Sequence, residues 1–129
     1  MTGESRPGTT LETVIIFTPH METLAAFYRR ALDLGPYERS PGHMGQQVGS
    51  VYLGFDQVDN AETTGSSGAT LWFTVENLDA TYKRVVAMGA DVRYPPTHKP
   101  WGARLASVLD PDGNVLGLAQ RKGSGSVAG

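Results

Sequence analysis

The feature that most constrains this chain is an internal repeat. Tyr28-Arg29-Arg30-Ala31-Leu32-Asp33-Leu34-Gly35 aligns with Tyr82-Lys83-Arg84-Val85-Val86-Ala87-Met88-Gly89. The tyrosine, two basic residues, the apolar positions and the terminal glycine coincide. Two amphipathic helices can agree this far by chance. Their surroundings repeat as well, because a strand, a helix and several short strands follow in the same order twice. The expected architecture is two copies of a βαβββ module, at about residues 11–56 and 69–121.

The elements are read from periodicity and punctuation. Leu11–Thr18 is rich in β-branched and aromatic residues and reads as a strand. Thr18-Pro19 suits a cap and first helical position. Met21, Leu24, Ala25, Tyr28, Ala31 and Leu32 recur at helical spacing, and Gly35-Pro36 is the expected stop. Short strands are expected at Tyr37–Arg39, Gln46–Val48 and Val51–Phe55, punctuated by Gly42, Gly45 and Gly49. After the polar connector Gln57–Gly68 the pattern restarts with a strand at Thr70–Val75. Asn77 is a good cap for a helix that Gly89 ends. Asp91–Tyr94, Arg104–Leu109 and Asn114–Gln120 read as strands. Pro95–Gly102 reads as a loop, and Asp110-Pro111-Asp112-Gly113 as a strong turn. Residues 1–10 and 122–129 are polar or Gly/Ser-rich and are expected to be flexible tails.

Composition narrows the function classes. At 129 residues there is room for one domain, with hydrophobic residues at 40% and net charge at −2. That balance fits a globular protein, and without a basic block a nucleic-acid surface is not expected. There are no cysteines, which excludes disulfides, thiolate zinc sites and a cysteine nucleophile. No apolar run is long enough for a membrane span and no signal-peptide pattern opens the chain, so a cytoplasmic protein is expected.

Three signatures carry a family likeness. The first is a strand, a turn and a helix with Phe27-Tyr28 and then Leu34-Gly35. The second is Val75-Glu76-Asn77-Leu78-Asp79-Ala80 entering the second helix. The third and most specific is Trp101-Gly102-X-Arg104 ahead of Asp110-Pro111-Asp112-Gly113-Asn114. In this order they resemble the vicinal oxygen chelate superfamily, which includes glyoxalase I, extradiol dioxygenases and the bleomycin-resistance proteins. The resemblance covers nearly all of residues 11–121. It implies an α+β fold in which each module is a curved mixed sheet with one helix on its outer face. The two sheets together form a concave cleft for small molecules, and a homodimer is implied.

Metal-using relatives take ligands from the first and fourth strands of each module. Carried over, those positions fall on Thr13, on Tyr52 or Gly54, on Thr70 and on Gly117. None is an ordinary ligand for a divalent ion. A one-residue slip brings Glu12 inward but supplies no companion set. His20 sits at a helix start, while His43 and His98 are placed in loops. No metal and no cofactor are expected.

Strand parity then defines the cleft. Thr13, Ile15, Phe17, Tyr52, Thr70 and Trp72 are expected to line it, with Thr74, Val115 and Ala119. Leu71, Phe73, Leu116 and Leu118 are expected to face the helices. Trp72 reads equally as core or as cleft. Trp101 reads as a stacking cover or as a loop anchor. Arg104 reads as an anion contact or as a surface ion pair, and His43 as a lid contact. The functional expectation is metal-independent binding of a small hydrophobic or aromatic molecule, with antibiotic or toxic-metabolite sequestration as one form. The alternatives are a metal-dependent glyoxalase-like lyase, isomerase or dioxygenase with an atypical site, and an accessory domain that senses a metabolite. Catalysis is the less favoured expectation.

Overall fold

The computed structural model describes residues 11–59 and 70–122. The expected tails, apart from Lys122, and the connector beyond Asp59 lie outside the described residues. The chain runs β1 (Thr13–Thr18), α1 (Met21–Leu32), β2 (Glu38–Ser40), β3 (His43–Val48) and β4 (Val51–Gln57). It continues as β5 (Leu71–Val75), α2 (Leu78–Ala87), β6 (Val92–His98), β7 (Arg104–Leu109) and β8 (Val115–Gln120). Two four-stranded sheets result, ordered β1-β4-β3-β2 and β5-β8-β7-β6. In each, the first and fourth strands run parallel and the other pairs antiparallel. This is the expected α+β architecture of two βαβββ modules, and neither sheet closes into a barrel.

The same hydrogen bonds recur in both modules. Gln57 Oε1 accepts the Met21 N–H at 3.0 Å while its Nε2 donates to the Pro19 carbonyl at 2.6 Å. Gln120 does the same for the Leu78 N–H at 2.9 Å and the Glu76 carbonyl at 2.7 Å. The last residue of each fourth strand thus holds the start of the helix, where N–H groups have no intrahelical acceptor. These pairs match Met21 with Leu78, and therefore Tyr28 with Val85. The repeat is real, but the Tyr28–Tyr82 alignment is three residues off. A three-residue slip stays on one face of a helix, so the octapeptide match reflects amphipathicity more than register.

Helix ends show why. Thr18 does not cap α1 directly. It accepts the His20 N–H at 2.9 Å, and the helix starts at Met21 with His20 as an N-cap lacking a side-chain bond. Asn77 caps α2 as expected, accepting from the Ala80 N–H at 3.1 Å. The first helix ends before Gly35-Pro36, because Asp33 takes the left-handed conformation (φ 56°) that Gly89 takes after α2 (φ 93°). In both, the following N–H bonds the carbonyl five residues back, Leu34 to Arg29 and Ala90 to Val85.

Strand β6 runs through Pro95 and Pro96, where a loop was the expectation. It is an edge strand, and its pairing with β7 shifts register between Tyr94 and Thr97. The prolines fall in the skipped stretch, so their missing N–H groups cost no ladder bond. His98 accordingly lies in a strand, paired with Arg104, and His43 opens β3.

One core serves both modules. Leu24, Tyr28, Phe55, Leu78, Val85, Val108, Leu116 and Leu118 are fully buried, and Val14, Ile16, Leu71 and Phe73 pack against them. The Tyr28 ring meets Phe27 and Phe55 of its own module and Phe73 of the other. Its hydroxyl donates to Asp110 Oδ2 at 2.7 Å, in the turn between β7 and β8. Asp110 is buried and also accepts from the Asp112 N–H, the Asn114 N–H and Asn114 Nδ2, each at 2.9 Å. Asp112 accepts from the Thr18 hydroxyl at 2.5 Å, and Arg84 donates to the Ala31 carbonyl at 3.1 Å. The Asp110–Asn114 motif is therefore a clamp between modules as well as a turn.

This clamp gives the fold an alkaline limit. Burial, reinforced by the charge of Asp110, pushes the Tyr28 hydroxyl far above the ordinary tyrosine range. Burial pushes Tyr37 up to about 12, with Arg29 pulling the other way. An acid whose pKa is raised on folding contributes full stability below its unfolded value, about 10, and loses it as pH rises and the unfolded chain ionises first. The urea midpoint is expected to hold below about pH 9 and to fall steadily from about pH 10 to 12. Tyr28→Phe should make that fall shallower. A flat midpoint across the window contradicts the assignment.

Candidate functional site

Each sheet has a face that carries no helix. On the first sheet the register sets Thr13, Ile15 and Phe17 beside Tyr52, Gly54 and Asp56, and these beside Gln47, Gly45 and His43. On the second it sets Trp72 and Thr74 beside Gly117 and Ala119, and these beside Ser107 and Leu105. Thr70 lies just ahead of β5 and is exposed. The helix-free faces are open, with Phe17 52% and Trp72 46% exposed.

Glycines shape both faces by leaving space. A Cβ built on Gly117 meets the Trp72 ring at 2.2–2.6 Å, and one on Gly45 meets the Tyr52 ring and hydroxyl at 2.2–2.7 Å. Neither glycine has a positive φ, so backbone strain does not account for them. They are the floor on which a ring lies flat. Gly54 has the same role in a crowded corner, where a Cβ meets Ile15 at 2.7 Å and His43 at 2.8 Å.

Across the first face runs a hydrogen-bonded series. His43 Nδ1 lies 2.5 Å from Asp56 Oδ1 and His43 Nε2 lies 2.7 Å from the Tyr52 hydroxyl. The two rings are nearly parallel, at 12°. Asp56 and His43 are paired across β3 and β4, so the ladder itself brings them together. Burial, followed by the charges of Glu38 and Asp56, raises the Tyr52 pKa above the ordinary tyrosine value. Strand parity marks Tyr52 and, four residues on, Asp56, but the loop reading of His43 hides this series, and only the β3–β4 register pairs His43 with Asp56.

The second face is different. Ser107 is buried, accepts from Arg93 Nη1 at 3.1 Å and donates to the Leu116 carbonyl at 3.2 Å. Lys99 Nζ sits 4.4 Å from the Tyr94 ring centroid, a cation–π distance. Trp101 is 72% exposed near a turn closed by Gly102 N–H on the Lys99 carbonyl, and among the described residues no aromatic ring packs on it. Arg104 is turned to the helix side. Both its terminal nitrogens bind Asp79 on α2, at 2.8 and 3.0 Å, which holds the Asp79 carboxyl below its usual range. An apolar pocket of about 520 Å³ lies at the seam between modules, lined by Val14, Leu53, Leu71 and Phe73 and also by Thr70, Trp72 and Thr74 at the edge of the second sheet's open face.

The residues present do not suit a metal. The ligand positions implied by the resemblance are occupied by Thr13, Tyr52, Gly54, Thr70 and Gly117, and an indole covers Gly117. Among the described residues no group of three or more His, Cys, Asp or Glu converges. The Asp56–His43 pair, already engaged with Tyr52, offers too few donors for a divalent ion.

The comparisons with known proteins agree with the fold. The chain is 30% identical over 112 residues to a bleomycin resistance protein of Klebsiella pneumoniae, covering 78% of this chain and 84% of the relative. It is 31% identical over 105 residues to the anthracycline biosynthesis protein DauV of Streptomyces sp. (strain C5), covering 78% of this chain but only 37% of that protein. Its fold matches a glyoxalase-related enzyme from Fulvimarina pelagi with a TM-score of 0.75 at 22% identity, over 87% of this chain and 88% of the other. The sequence profile of one superfamily matches residues 10–118. Paired βαβββ modules, a shared core and this profile have one consequence: the chain belongs to the Glyoxalase/Bleomycin resistance protein/Dioxygenase superfamily.

Proposed function

We propose that this protein binds a small, flat, largely apolar organic molecule without a metal, and acts by sequestering it. The observation that carries this reading is the floor of the helix-free faces, where the Tyr52 and Trp72 rings lie over Gly45 and Gly117 and the Trp72 indole stays half exposed. Rings presented this way offer large area and stacking at little entropic cost. Two relatives are named for bleomycin resistance and for anthracycline biosynthesis, which supports an antibiotic-like organic ligand.

A ligand resting on one face stays open to water on its other side. A second copy of the chain, setting the face of one module against that of its partner, is the cover we propose, in a cytoplasmic homodimer. Among the described residues no helix is long and apolar enough to cross a membrane.

The test is a titration with a hydroxyanthraquinone, read by quenching of tryptophan fluorescence and by calorimetry, before and after chelator treatment. Saturable binding that survives chelation is expected, and Phe17→Ala should weaken it about tenfold through lost stacking area. Light scattering should give the mass of a dimer. A stoichiometric co-purified metal together with turnover would move the protein to the lyase or dioxygenase branch.

A further inference from the structure

The series Asp56–His43–Tyr52 has the form of a proton relay, and the geometry gives it a direction. An ionised carboxylate only accepts, so the proton between Asp56 and His43 belongs to His43 Nδ1. With that imidazole neutral, Nε2 carries the lone pair and the Tyr52 hydroxyl is the donor across the 2.7 Å between them. With its hydrogen committed, the Tyr52 oxygen keeps its lone pairs for a third party. Three features show a built arrangement. Gly45 and Gly54 leave the space that Tyr52 and His43 occupy, where any Cβ would collide with them. Asp56 and His43 are paired by the β3–β4 ladder. Glu38 on β2 is opposite Gly45, and β1 contributes Thr13, Ile15 and Phe17, so among the described residues the strands of this face present acids and acceptors and no lysine or arginine.

We infer that Tyr52, backed by His43 and Asp56, is the polar anchor of the ligand site and accepts a hydrogen bond from an acidic hydroxyl on an aromatic ligand. The inference rests on the proposed function and specifies its ligand class: a flat aromatic bearing a phenolic O–H, not a carboxylate, which Asp56 and Glu38 repel. Phe17 and Ile15 supply the apolar surface beside the anchor. The ligand keeps its proton in this arrangement, so no anion is set beside Asp56 and Glu38.

The experiment compares a hydroxyanthraquinone with its O-methyl ether, which keeps the ring and the oxygen but lacks the donor. Calorimetry on the full chain should give the hydroxyl form roughly a tenfold advantage, the scale of one hydrogen bond to a charge-backed acceptor. In Tyr52→Phe that ratio should fall to about one. Asp56→Ala should narrow the ratio although Asp56 need not touch the ligand. Nitrogen NMR of the free wild type should show His43 as the Nδ1–H tautomer. A ratio near one in the wild type, an unchanged ratio in Tyr52→Phe, or an Nε2–H tautomer overturns the relay while ether binding still upholds the aromatic site. Failure of both probes to bind overturns the proposed function and the relay with it.

Discussion

Replacing Asp110 by alanine is expected to lower the stability of the fold by about 3–4 kcal/mol, enough to move thermal unfolding down by on the order of 10 °C. The carboxylate accepts four hydrogen bonds, from the Tyr28 hydroxyl and from three N–H groups of the turn. Each bond to a charged acceptor contributes about 1.5–3 kcal/mol, but the turn groups lie near solvent and recover part of it from water. Tyr28 does not. Its side chain is buried, with the ring packed on Phe27, Phe55 and Phe73, so losing its acceptor leaves a buried donor unpaired. Tyr28→Phe should cost only about 1 kcal/mol, because it removes the donor together with the bond. The double variant should be less destabilised than the sum of the two, since the unpaired hydroxyl has gone. Chemical denaturation of the four proteins decides it. A loss below about 1 kcal/mol in Asp110→Ala would show that the clamp is decorative.

The same residues show how far the sequence could be read. Asp110-Pro111-Asp112-Gly113 announces a turn because its residues favour one locally. That its carboxylate holds a tyrosine 82 positions away is a fact of tertiary packing, and no local pattern carries it. The element order and strand parity were legible, because a one-residue slip exposes a whole apolar face. The register of the repeat was not, because a helix looks alike at i and i+3. Glycine was ambiguous in another way. Gly45 reads as punctuation, yet it sits in mid-strand and its value is the side chain it lacks. With Gly45 taken as a break, His43 falls into a loop and the pairing with Asp56 disappears. Arg104 stands beside a recognisable motif, but its partner Asp79 lies on the helix side, and the sequence holds no mark of that choice.

Gly117→Ala is expected to keep the fold and cost the binding face, with affinity for the hydroxyanthraquinone falling at least about tenfold. A methyl at this position meets three atoms of the Trp72 ring at 2.2–2.6 Å, far inside the separation of about 3.5–4.0 Å at which carbons attract. The indole must leave. It can do so because Trp72 is 46% exposed and has open space on the helix-free side. The cost to stability should therefore stay near about 1 kcal/mol, while the flat platform is replaced by a ring standing edge-on. Fluorescence in a Trp101→Phe background isolates Trp72 and should show emission shifted to the red in the glycine variant. Gly113→Ala is the control. Gly113 has φ 86° and open space around its Cβ position, so alanine there strains the backbone by about 1 kcal/mol but leaves Trp72 where it is. The two variants separate a glycine needed for its backbone from one needed for its emptiness. If Gly117→Ala binds like the wild type with unshifted emission, Trp72 is not the platform, and the ligand must rest on the Phe17 and Tyr52 face alone.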